Sequence, residues 1–343
     1  MTNPNETTLQ FDMRAPAFGT PARDLYPAAL EMIRFGEEIG IGRVGLMEHH
    51  GSEDGYLPAS FVMGGAVAAI TKRIRITLGA VLLPLHDPVK LAEQIAVLDL
   101  ISDGRLEVVF GAGYVPSEFA MFKVSLHDRG KLLDQGIEII LRALAGERFE
   151  ADGRPIFVRP LPIQPPREIL IGGGGVAASA RRAARFGIAY YPLHGAYDEL
   201  YREECRRHGR EPGIVYGSGG PLNFHLAEDP DTVWPLVWRH FAHVASAYAA
   251  WAAEEGGAST SPFAGLDTPE ALRASGIFQV VTPEELLERA PAMIAGNRAI
   301  NFMPLIGGLD PALGWQCLRL LADRVMPAMP AARAKARTLL AQD

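Results

Sequence analysis

Residues 74–83 read IRITLGAVLL, a near-continuous apolar run. A strand with water on one face alternates apolar and polar side chains. A strand buried on both faces does not, and helix-covered parallel sheets impose that condition. RVGLME at 43–48 and LEVVF at 106–110 flank this run as further strands, so strand starts recur about every 30 residues in this half of the chain. Helical patterns fill the intervals, over 57–69 and 89–100. Upstream, Leu25, Ala28, Ala29, Met32, Ile33 and Ile39 keep helical spacing, in a helix read as capped by Asp24 and stopped by Gly40 and Gly42. Downstream come a long helix over 128–144, a proline-rich excursion over 146–166 with a hairpin at 149–154, a strand over 168–171 and a helix over 177–186. A strand over 188–191, a helix over 197–207, strands over 221–226 and 298–303 and a helix over 315–325 follow. With a first short strand over 9–13, this predicts eight strands alternating with helices, the pattern of a parallel sheet. The expected fold is one α/β domain over 1–343, a (β/α)₈ TIM barrel with an insertion after strand seven. That insertion spans 227–297, holds Trp234, Trp238 and Trp251 and a Gly/Ser/Thr/Pro-rich piece at 256–262, and reads as a lid over the barrel mouth.

Composition narrows the class of function. The chain has 343 residues, 48% apolar and 21% charged, which suits a large core. Its formal charge is −7 and no dense Lys/Arg block occurs, so a nucleic-acid partner is not expected. Two cysteines, Cys205 and Cys317, in unrelated contexts exclude a disulfide scaffold and a cysteine metal site. Residues 1–10 are polar and lack a signal-peptide core, and no run of about 18 apolar residues marks a membrane span. The expectation is a cytoplasmic enzyme.

In a (β/α)₈ barrel the reactive groups stand at the C-terminal ends of strands. Strand two there ends in Glu48-His49-His50. A histidine changes charge near neutral pH, so one facing the mouth, with a carboxylate beside it, is a candidate acid/base. Successive strand residues point to opposite faces, so the two histidines do not readily share a metal, and no metal ligand is assigned. Strand four ends in Gly111-Ala112-Gly113-Tyr114, where missing side chains either admit a planar group or serve close packing, and Tyr114 is either a pocket wall or core. Gly172 to Gly175 precede a helix start with Ser179 in its first turn. Such a turn either cradles a phosphate on backbone N–H groups and the helix dipole or only satisfies positive φ. A dinucleotide fingerprint (Gly173, Gly175, Ala178) also fits in outline, but the next strand ends in His194 where an acidic residue is required. His194, Asn223 and His225 lie at the ends of strands six and seven as candidate substrate-side groups. Ser102-Asp103-Gly104-Arg105 falls at the opposite end of the barrel and reads as a structural turn.

These residues in this order resemble the bacterial luciferase-like flavin-dependent monooxygenases. The resemblance rests on Glu48-His49-His50, Leu83-Pro84, Asp87-Pro88, Leu98-Asp99, Ser102-x-Gly104-Arg105, Gly111-x-Gly113, Glu118-Phe119, Arg129, Pro165-Pro166, the glycine tetrad, Arg182-Ala183-Ala184 and Gly187. It implies a barrel that binds reduced FMN, or in some subfamilies a deazaflavin, at its mouth, with His49 near the reacting edge and Glu48 and His50 orienting it. It also implies a cis peptide at Gly79-Ala80 against the ring, and a phosphate held by the amides of Gly174, Gly175 and Val176 and the Ser179 hydroxyl. The luciferase arginine at the end of strand four is Ala112 here, the glutamate of the phosphate loop is Gly175, and the tryptophan some members carry after strand six is His194, so light emission is not expected. The activity implied is oxygenation of a small organic substrate by O₂, with reduced flavin supplied by a separate reductase and the chain forming a homodimer. A deazaflavin-dependent hydride-transfer enzyme, a non-catalytic flavin-binding protein and a metal-dependent barrel hydrolase are the alternatives.

Overall fold

The computed structural model describes residues 7–217, 219–256 and 261–340. The strands are β1 (Thr7–Phe11), β2 (Arg43–Leu46), β3 (Arg75–Leu82), β4 (Leu106–Gly111), β5 (Phe149–Ala151), β6 (Arg154–Ile156), β7 (Leu170–Gly174), β8 (Ala189–Pro192), β9 (Asn223–Leu226), β10 (Phe278–Val281) and β11 (Ile300–Phe302). The helices are α1 (Ala22–Glu38), α2 (Ser60–Ile70), α3 (Pro88–Ser102), α4 (Pro116–Met121), α5 (Arg129–Leu144), α6 (Pro166–Ile169), α7 (Ala177–Phe186), α8 (Asp198–Arg207), α9 (Pro230–Glu254), α10 (Pro269–Ser275), α11 (Pro283–Ala295), α12 (Pro311–Leu320) and α13 (Met329–Leu340). Helix starts are written plainly in the sequence. At α3, α9, α10, α11 and α12 an Asp or Thr N-cap precedes a proline: Asp87-Pro88, Asp229-Pro230, Thr268-Pro269, Thr282-Pro283 and Asp310-Pro311. The cap side chain accepts an orphan N–H, and proline fills a position whose N–H has no helical partner. Asp24, read as a cap, instead lies in the first turn of α1, which starts behind Pro21 without a side-chain cap.

The chain divides into two compact units, one drawn from 1–45, 50–57 and 219–343, the other from 46–49 and 58–218. In the second, β3, β4, β7 and β8 form one parallel sheet in that order. β5 and β6 make the expected antiparallel hairpin. The segments leading into β3 and β4 are tied by Arg105, which donates to the carbonyls of Ala68, Thr71, Ile74 and Ser102 and to the Thr71 hydroxyl. Asp103 and Gly104 turn the chain in left-handed conformations just before it, as the structural reading of this turn requires.

In the first unit β1 pairs in parallel with β11, and β9 with β10. The segment 227–297 carries α9, α10, β10 and α11. Strand β10 was not visible in the sequence: its four residues, FQVV, are too few to display a period beside long helices. Residues 257–260 of the Gly/Ser/Thr/Pro-rich piece, and 1–6 of the polar N-terminus, lie outside the described residues. Arg14 is wholly buried in this unit, 2.5 Å from Asp54 and beneath the rings of Tyr56 and Trp251 at 4.5 and 4.8 Å. No helix among the described residues is long and apolar enough to cross a membrane.

Candidate active site

Glu48 and His49 follow the C-terminal end of β2. The Glu48 carboxylate is buried and both oxygens are engaged. Oε1 accepts from the Leu82 N–H at 3.1 Å and lies 2.8 Å from His86 Nε2, while Oε2 accepts from the Ser60 hydroxyl at 2.8 Å. Glu48 therefore binds the end of β3 to the start of α2 and fixes the backbone that carries His49. His49 Nδ1 is 2.8 Å from Oε1 of the buried Glu118, and the imidazole stands edge-on to Tyr114 with centroids 6.1 Å apart. An ionised carboxylate only accepts, so in this contact His49 Nδ1–H is the donor. Glu118 and His86 are the functional neighbours that sequence reasoning missed. Glu118 lies 69 positions from His49, and only the fold brings them together.

Beside this pair the strand ends are poor in side chains. The Gly79–Ala80 peptide is cis, at the step where the resemblance implies one. The β3–β4 register shifts between Gly79 and Val81. A Cβ built on Gly111 would stand 2.9 Å from the Ala80 methyl, so the two positions adjoin. Gly113 has φ +73° and a Cβ there would meet the Phe119 ring at 2.8 Å; both facts demand glycine. Beneath, Val109, Ile171 and Tyr216 form an apolar floor on which Ala80, Ala189 and Tyr191 pack.

The glycine tetrad occupies the turn between β7 and α7. Gly174 has φ +143°, and a Cβ there would fall 2.8 Å from the Ser179 Cβ. The turn is held from β8: the Tyr190 hydroxyl donates to the Gly174 carbonyl at 3.1 Å, and the Leu193 N–H does so at 3.3 Å. Desolvation pushes the Tyr190 phenol pKa upward, which keeps it a donor. Ser179 corrects one expectation. It is 4% exposed, and its hydroxyl donates to the Val176 carbonyl at 2.6 Å. That hydroxyl braces the turn at the start of α7.

His194 is exposed and overhangs the tetrad, its Nε2 3.5 Å from where a Gly175 Cβ would be. His50 is buried and belongs with the first unit. Asn223 and His225 also lie there, in β9. Asn223 is fully buried and its Oδ1 accepts the Met303 N–H at 2.7 Å. His225 is 2% exposed, and desolvation pulls its pKa down to about 4.

The sequence profile of the luciferase-like monooxygenases matches residues 11–296. N-acetyl-S-alkylcysteine monooxygenase of Bacillus subtilis is 28% identical over 216 residues, 61% of this chain and 62% of that protein. With that protein and two other curated relatives, the alignments span only 54% to 62% of the relatives' length. Among solved structures, the monooxygenase RslO1 from Streptomyces bottropensis superposes with a TM-score of 0.74 at 26% identity, over 94% of this chain and 99% of that one. The oxygenating constituent of 3,6-diketocamphane monooxygenase from Pseudomonas putida, in complex with FMN, shares the fold with a TM-score of 0.70 at 20% identity, over 94% and 98% of the two chains. Parallel strands alternating with helices, a histidine–glutamate pair and a glycine turn at strand ends, and a profile match across 11–296 lead to one assignment: the chain belongs to the luciferase-like monooxygenase family.

Proposed function

We propose that this protein is a flavin-dependent monooxygenase built on a (β/α)₈ barrel, using reduced FMN and O₂ to oxygenate a small organic substrate. The observation that carries the reading is the strip of side-chain-poor strand ends in one unit. Ala80 abuts Gly111, and Gly173 to Gly175 lead into the α7 N-terminus, with the Glu118-bound His49 beside Tyr114. This fits FMN chemically. A flat ring needs a surface without side chains, and a phosphate monoester needs backbone N–H donors and a positive helix end. Ala80, Gly111 and Gly113 would line the ring face, Tyr114 its edge, and the amides of Gly174, Gly175, Val176 and the next residues the phosphate.

When bound, reduced FMN supplies two electrons that activate O₂, so that one oxygen atom enters the substrate and the other leaves as water. The protein's share is orientation, proton control and exclusion of water. His49 takes or gives the proton at Nε2, because Glu118 fixes the other nitrogen as a donor. Glu48 acts through the backbone: it touches no reactant and holds His49 in register. A separate reductase supplies the reduced cofactor in this reading, and the chain works as a homodimer.

Anaerobic titration with reduced FMN and, in parallel, a reduced deazaflavin tests the proposal, followed by admission of air. Saturable FMN binding and rapid oxygen uptake are the expected results. Binding of the deazaflavin alone moves the chain to hydride transfer without O₂. FMN binding without oxygen uptake or turnover leaves a non-catalytic flavin protein, and binding of neither removes the flavin reading.

A further inference from the structure

An FMN phosphate carries roughly −1.5 to −2 charges at neutral pH, whereas a helix N-terminus offers about half a positive charge. The site therefore calls for a cation. The three arginines of α7 are committed elsewhere: Arg182 and Arg185 lie 2.5 and 2.8 Å from Asp134, and Arg181 lies 3.6 Å from Glu204. The position after Gly111, where the resemblance puts an arginine, is Ala112. The glycine turn nevertheless has a basic group above it. β8 registers Pro192 against Gly174, and the next amide, Leu193 N–H, donates to the Gly174 carbonyl. That docking delivers the following residue over the turn. His194 Nε2 stands 3.5 Å from the ideal Cβ position of Gly175, nearer the phosphate end of the site than a substrate-side role requires. The Tyr197 ring packs against the imidazole at 5.6 Å. Glycine at 175 keeps the space between imidazole and backbone clear, since a side chain there would press on Leu193 at 3.2 Å.

Building on the FMN reading above, we propose that His194 is a cofactor-binding residue whose Nε2–H donates to the FMN phosphate, so that the loop after β8 supplies the side-chain donor absent at Ala112. The consequence is selectivity: His194 distinguishes FMN from riboflavin, which has the same ring system and no phosphate.

Equilibrium binding of FMN and of riboflavin to the wild-type chain, His194→Ala and His194→Gln tests this, read by quenching of flavin fluorescence. The wild type should prefer FMN. His194→Ala should weaken FMN about 10- to 100-fold, the scale of a hydrogen bond to a charged group, and leave riboflavin within about twofold. His194→Gln, a neutral donor, should fall between. His194 is exposed, so the variants should keep the wild-type thermal transition, which the same samples can report. Equal losses for both flavins would assign His194 to the ring, and an unchanged FMN preference would remove it from the site; either overturns this assignment alone. A wild-type chain that binds no FMN removes the cofactor reading and this assignment together.

Discussion

At the smallest scale the proposed chemistry rests on His49 and Glu118. Nδ1 is bound to a buried carboxylate, so the proposal assigns acid or base work to Nε2. His49→Ala should slow turnover about 10²- to 10⁴-fold while flavin affinity changes less than about threefold. Single-turnover kinetics beside a binding titration checks this, and unaltered kinetics would take His49 out of the mechanism. Two other residues govern acid behaviour, with opposite signs. Burial raises the Asp12 carboxyl from an ordinary 3.8 to about 6, against the pull of Arg14. The folded chain thus holds that proton more tightly than the unfolded chain does, and Asp12's contribution to stability falls as pH rises through this window. Burial lowers His225 from 6.5 to about 4, so the unfolded chain takes that proton first, and stability falls as pH drops. Between pH 4 and 6 the two slopes oppose each other. In Asp12→Asn the urea midpoint should climb more steeply with pH across that range than in the wild type, and in His225→Gln less steeply. Midpoints at four pH values decide it, and a shift of both variants in the same direction would refute the assignment.

At the scale of elements, two devices hold the second unit's strand ends in place. Arg105, itself buried, donates to four carbonyls and a hydroxyl. Arg105→Met keeps the apolar stem and strands those acceptors. It should cost about 2–4 kcal/mol, read as a lower denaturant midpoint, with cofactor affinity retained if the enzyme is folded at the assay temperature. The β7–α7 turn depends on Tyr190, whose hydroxyl bonds the Gly174 carbonyl and lies 3.3 Å from the Ser179 hydroxyl. Tyr190→Phe should loosen that turn and weaken FMN about 3- to 10-fold, the scale of one neutral hydrogen bond, and riboflavin less. Equal affinities in variant and wild type would show that the turn stands without it.

For the whole molecule, the residues assigned to the flavin fall in one unit, while β9, β10 and His225 fall in the other. Hydrogen exchange should therefore show FMN protecting amides in 79–80, 111–114 and 173–178, with little change in β9 or β10. A footprint concentrated in β9 and β10 would contradict the site. The balance of legible and hidden features follows the same lines. Buried strands, capped helix starts and the glycine turn each express a local rule, so IRITLGAVLL, Asp87-Pro88 and Gly172 to Gly175 could be read directly. Strand β10 and helix α10 were too short for any period to emerge.

What the sequence by itself determined was the alternation of helix and strand, the family resemblance and the strand ends worth inspecting, because these depend on residues close together in the chain. Only the tertiary structure decided what each polar group does there. It gave Glu118 to His49, turned Glu48 into an anchor for β3, closed Ser179 into its own turn, buried Asn223 and His225, and set His194 over Gly175. The reason is physical: a buried polar atom must find a partner wherever the fold provides one, and that partner stands at a sequence distance that no local pattern records.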